Sequence, residues 1–151
     1  MKHAWGLLLV IGCGASGEPM KGDVMFTYGT DHPKMAFGAA VQNKDTPGEM
    51  LVQIGDDNVD CSTYLDAFSL GGPSGNFVYF SVDATTPGTQ TAAAVSVEHS
   101  TGNNVSVNES DGSVTIDATT PRVTGSLTFT TTDTTVGDIA VSGNFDVKRC
   151  F

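Results

Sequence analysis

Basic residues are scarce in this 151-residue chain: seven Lys and Arg stand against seventeen Asp and Glu, a formal charge of −10. That balance argues against nucleic-acid binding, which needs a basic footprint, and against adhesion to anionic lipid headgroups through the domain surface. Tryptophan is almost missing. Trp5 is the single one, so a sugar-stacking platform would have to draw on Tyr28, Tyr64, Tyr79 or a Phe. Histidine and cysteine number three each and no CxxC occurs, which leaves a zinc site without its usual ligand spacing. Long apolar runs are lacking too. The segment Ala4 to Gly12 is about half of the roughly 20 residues that a membrane-spanning helix requires.

That short run does fit the apolar region of a secretion signal, about 7–15 residues behind a positively charged start. It follows Lys2 and leads into Val10-Ile11-Gly12-Cys13. The tetrapeptide resembles the bacterial lipobox, in which aliphatic and small residues precede a cysteine. The resemblance implies that Cys13 is diacylated on sulfur, becomes the first residue of the mature chain, and attaches the protein to the cell envelope. Gly14, rather than Asp, after the lipid cysteine is compatible with the outer membrane. Two blander readings stand beside it: ordinary cleavage after Ala15, and an N-terminal strand. Two or more acyl chains give stable attachment, at about 0.8 kcal/mol per buried methylene.

The expected organisation is therefore a signal peptide over residues 1–12, a lipidated cysteine and Gly/Ser/Pro-rich tether over 13–22, and one β-domain over 23–151. Removing residues 1–12 from 151 leaves 139, enough for one domain with a core of its own. Lys2 is the only charge lost, so six Lys and Arg face seventeen acids, a balance of −11. The blandest meaning of that acidity is solubility. With Cys13 set aside, Cys61 and Cys150 form an even pair that an oxidising compartment favours joining. Two buried free thiols are the alternative.

Beyond the leader, short segments with an apolar residue at every second position alternate with Gly, Pro, Asn and Asp clusters. This is the pattern of half-buried antiparallel strands. Val24–Tyr28, Met35–Val41, Met50–Ile54, Phe77–Val82, Val95–Val97, Val105–Val107 and Ser113–Ala118 are such segments. Phe77–Val82 is apolar on both faces, as a central strand would be. Two further strands, Val123–Phe129 and Ile139–Val147, make a hairpin whose polar loop is expected over Thr130–Asp138. Gly125 and Gly143 fall on its inward face and predict a bend, a bulge or a close backbone approach. Ser62–Phe68 is the one segment able to form a short helix. The expected fold is all-β, an antiparallel sandwich or flattened barrel of about eight strands. Ten of the twenty-one residues from Thr115 to Thr135 are Thr, but they keep no single spacing. They read as the outward face of a sheet rather than as an ice-like lattice-binding array.

The hairpin residues Arg122 to Phe129 and Val141 to Val147, followed by Cys150, resemble the closing hairpin of many small bacterial lipoproteins. These carry a "TG-x-L" strand, an "SG-x-F" strand and a late cysteine. An earlier cysteine in them follows an apolar strand and an acidic turn, here Leu51 to Cys61. The resemblance supports the Cys61–Cys150 bridge and the fold, and implies no activity.

Asp56, Asn58 and Asp60 match the opening of a D-x-[DN]-x-[DN]-G calcium loop. Cys61 then stands where the turn requires Gly, and Ala67 where the loop requires Glu. A weak, irregular calcium site using Asp56, Asp57, Asn58 and Asp60 remains as a candidate against a solvated acidic turn. Gly72-Pro73-Ser74-Gly75 lacks the last Gly of a nucleophile elbow, because Asn76 occupies it, and reads as a turn. His32 and His99 have no triad context. The functional expectation is a non-enzymatic structural or binding module with an envelope protein or polymer as partner. A calcium-dependent module is the alternative, and a hydrolase ranks below both.

Overall fold

A strand with one apolar face must bury it, and a single long sheet does so by curling until its two halves pack on each other. The computed structural model describes residues 17–57, 59–62, 75–90, 95–99, 103–107 and 112–151. Among these residues there is no helix. The strands are β1 (Lys21–Gly22), β2 (Met25–Tyr28), β3 (Phe37–Gln42), β4 (Glu49–Gly55), β5 (Phe77–Asp83), β6 (Gly88–Gln90), β7 (Val95–His99), β8 (Asn103–Val107), β9 (Ser113–Ala118), β10 (Arg122–Asp133) and β11 (Gly137–Arg149). They form one sheet in the order β6-β9-β10-β11-β3-β4-β5-β7-β8, with β1 and β2 also on β11. The expected sandwich or flattened barrel thus takes the form of an all-β, open half-barrel.

β11 is the hub. One edge pairs with β10 along its length, from Arg122↔Lys148 to Asp133↔Gly137. The other edge is shared by β2, β1 and the middle of β3. β3 meets it in parallel at Lys148↔Ala39 and Arg149↔Ala40, an exception in an otherwise antiparallel sheet. The β10–β11 connection is shorter than the sequence suggests. Thr130–Asp133 are β-branched or extended and stay in the ladder, leaving Thr134, Thr135 and Val136 as the loop. Asp133 Oδ1 accepts the Thr135 and Val136 amides, and Gly137 takes φ +94° to re-enter the strand.

Both inward glycines sit at close backbone approaches. A Cβ on Gly125 would run into the Thr115 carbonyl oxygen, beside a register shift between Thr124 and Gly125. Gly143 has φ +134° and lies against the Asp23 carbonyl. Here β1 and β2 are interrupted, and Asp23 Oδ1 accepts the Asn144 amide at 2.9 Å.

The inner face carries the main core, including Phe26, Ile54, Phe80, Phe129, Ile139 and Val147. Phe80 meets Phe145 edge-on, ring centroids 5.7 Å apart, although β3 and β4 lie between their strands. That contact is direct proof of the curl. β3, β4 and most of β5 are buried on both faces, as expected of Phe77–Val82. On the outer face Ala39, Val59 and Phe77 form a second small core with Phe37 and Cys150.

Residues 17–22, read from the sequence as tether, are hydrogen-bonded into the domain. Glu18 donates its amide to the Val59 carbonyl and accepts the Gly38 amide, and Met20 N–H reaches the Ala36 carbonyl. The apolar Phe37 ring packed on Gly17 gives the segment a surface to lie on. Gly14–Ser16, the leader with Cys13, and Thr63–Phe68 of the candidate helix lie outside the described residues.

Candidate functional site

The acidic turn after β4 is built from the two ends of a connection. Asp56 projects toward the start of β5, where its carboxylate accepts the Asn76 backbone amide at 2.8 Å and the Asn76 side-chain amide. The Asp56 amide returns a bond to the Asn76 carbonyl at 3.1 Å. Val59 is fully buried. Asp60 Oδ1 accepts both the amide and the hydroxyl of Ser62, each at 2.7 Å, a local turn of the kind Asp favours. Cys61 then joins Cys150, with Cα atoms 5.5 Å apart and a sequence separation of 89.

The sequence-derived calcium candidates therefore divide. Asp56 and Asp60 have carboxylate oxygens committed to protein donors, Asp57 is half-buried, and Asn58 lies outside the described residues. Among the described residues no three His, Cys, Asp or Glu side chains gather as a metal cage. What the turn demonstrably does is fasten the β4–β5 connection and the disulfide to the outer core.

A second constellation has no local sequence signal, since its members come from strands far apart. The rings of Tyr28 (β2) and His99 (β7) stack at 4.2 Å and 9°. His99 is buried, and its Nε2 lies 3.0 Å from Asp31 Oδ2 in the turn after β2. The Tyr28 hydroxyl is buried without a hydrogen-bond partner among the described residues. Burial, with a smaller contribution from the Asp133 charge, pushes its pKa above the ordinary tyrosine value. The cluster ties β7 to the β2 side of the sheet and so holds the curl shut at this end. His32 goes elsewhere, 3.2 Å from Thr27 Oγ1 on the exposed face.

The described residues also form shallow surface depressions. One, about 330 Å³, lies between the β3–β4 turn and the end of β5, where Glu49, Ser81, Asp83 and Gln90 converge. Glu49 accepts hydrogen bonds from Asn43 and Ser81. Asp83 accepts the Thr85 and Thr86 amides and the Thr85 hydroxyl, which lower its pKa below the ordinary carboxylate value. Another, about 470 Å³, is a mainly apolar groove floored by Met25, Thr27, Ala140 and Ser142 and overhung by Pro33 and Lys34. Gly72, Pro73 and Ser74 of the rejected elbow lie outside the described residues.

Comparison with known protein families, characterised proteins and solved structures finds no match for this chain.

Proposed function

We propose that this is an exported, lipid-anchored cell-envelope protein, held on the outer membrane through an acylated Cys13, whose β-domain serves a non-catalytic structural or binding role. One observation carries the reading. The Cys61–Cys150 bridge accounts for two of the three cysteines, and the third stands at the end of the lipobox-like Val10-Ile11-Gly12-Cys13. A bridge between the middle of the chain and its last strand suits an oxidising compartment. A non-catalytic role is supported by the employment of the polar groups described above: both cysteines oxidised, and Asp56, Asp60 and Glu49 engaged as acceptors for neighbouring protein donors. The partner on this reading is an envelope protein or polymer.

Intact mass of the protein from the membrane fraction tests it, before and after reduction. The expected species is residues 13–151 plus acyl chains, gaining two hydrogens when Cys61–Cys150 opens. An unlipidated species beginning at Ser16 would refute the anchor and turn attention to diffusible ligands.

A further inference from the structure

Charge is unevenly spread over this acidic domain. Four of its basic residues meet at one end of β11: Lys21 lies across from Asp146, Arg122 across from Lys148, and Arg149 follows. Ion pairs of Lys148 with Glu18 and of Arg122 with Asp146 engage two of the four. Lys44 lies off the same end, in the β3–β4 turn just beyond the level of Phe151, beside Asp45 and near Glu49 and Asp83. Of the Lys and Arg beyond the leader, only Lys34 is left among the carboxylates of the rest of the domain. At this end Phe151 is 45% exposed, with the Arg149 guanidinium 4.2 Å from its ring centroid.

The described residues begin at the same end. Gly17 packs on Phe37, and Glu18 is held by Lys148, Val59 and Gly38. Only Gly14–Ser16 separate this point from Cys13, and four Cα–Cα steps span at most about 14 Å.

We propose that the end of the domain bearing Lys21, Arg122, Lys148, Arg149 and Phe151 lies on the bilayer that holds the acyl chains, with the β10–β11 loop pointing away. This orientation rests on the lipid-anchor reading. Anionic headgroups repel the acidic remainder of the surface within a Debye length of about 8–10 Å. This end gathers five of the six Lys and Arg beyond the leader, so it bears the least of that cost, and it presents an aromatic ring with cationic neighbours, a combination suited to the headgroup region. The acidity that disfavours docking by the whole surface becomes the force that selects this face.

Trp fluorescence of the full chain, purified acylated and reconstituted in vesicles of mixed neutral and anionic lipids with brominated acyl chains, tests the orientation. The acylated chain, residues 13–151, has no tryptophan of its own, so Phe151→Trp places the probe at the proposed contact. Thr134→Trp places it about 40 Å away along β11. Bromolipid is expected to quench the Phe151→Trp protein several-fold more than the Thr134→Trp protein. Equal quenching, the reverse order, or none in either, on protein whose mass shows the acyl chains, would overturn the orientation while sparing the anchor. Absence of quenching would leave the face to a protein partner or a second copy. A mass without acyl chains would remove the anchor and the orientation together.

Discussion

At the residue scale the decisive groups are polar ones placed among apolar neighbours. Tyr28 is the sharpest case. Its ring is held by the stack on His99, while its hydroxyl is buried with no partner among the described residues. Burial disfavours the phenolate, so the folded-state pKa lies above the unfolded value of about 10. The resulting contribution to stability is fully present below about pH 10 and is lost as pH rises through the folded pKa. Phenolate absorbance is expected to show one tyrosine titrating late in the folded protein, and Tyr28→Phe is expected to abolish that step. At neutral pH the same substitution removes an unsatisfied hydroxyl and keeps the ring, so it changes stability by less than about 1 kcal/mol in either direction. A loss above about 2 kcal/mol in a denaturant titration would show that the hydroxyl has a partner after all.

At the scale of elements, what was legible in the sequence follows from period-two patterning. The alternation in Val123–Phe129 and Ile139–Val147 located β10 and β11, and the two-sided apolarity of Phe77–Val82 located a central strand. Gly125 and Gly143 announced close approaches because a glycine on an apolar inward stripe forgoes packing for a reason. What escaped has equally physical causes. β6 is three residues following Thr86-Pro87, too short for a pattern and tied to β9 only by tertiary pairing. The parallel β3–β11 contact involves two residues from each strand and leaves no local mark. The Tyr28–Asp31–His99 cluster needs the curl before its members meet. Substituting two glycines separates the effects. Gly143→Ala adds a Cβ against the Asp23 carbonyl at φ +134° and is expected to cost at least about 1–3 kcal/mol. Gly48→Ala at φ +93° meets nothing within 4 Å, and pays only for backbone conformation, about 1 kcal/mol. Equal losses in thermal or denaturant unfolding would refute the close approach at β11.

For the whole molecule, the question is what keeps a single open sheet curled. The sheet does not close on itself through strand pairing among the described residues, since β6 and β8 end the order without meeting. Closure falls to side chains across the interior, to the His99 cluster, and to the bridge that pins Cys150, just past β11, to the connection after β4. Without the bridge, the end of β11 would be held on its β3 side by a two-residue parallel ladder and the Cys150 amide on the Ala40 carbonyl. A link between residues 89 apart also restricts the unfolded chain over most of its length. By chain entropy that is worth up to about 4.5 kcal/mol, with measured effects more often about 2–4. The double variant Cys61→Ser, Cys150→Ser is accordingly expected to lose about 2–4 kcal/mol in urea. Its denaturant slope should steepen, because the unlinked chain exposes more surface on unfolding. A loss under about 1 kcal/mol with an unchanged slope would mean that the interior contacts alone maintain the curl. Amide exchange in the same variant locates the effect: selective loss of protection in β1, β3 and the end of β11 is the mark of a bridge that also holds the native closure, whereas a uniform loss is the mark of one acting only through the unfolded chain.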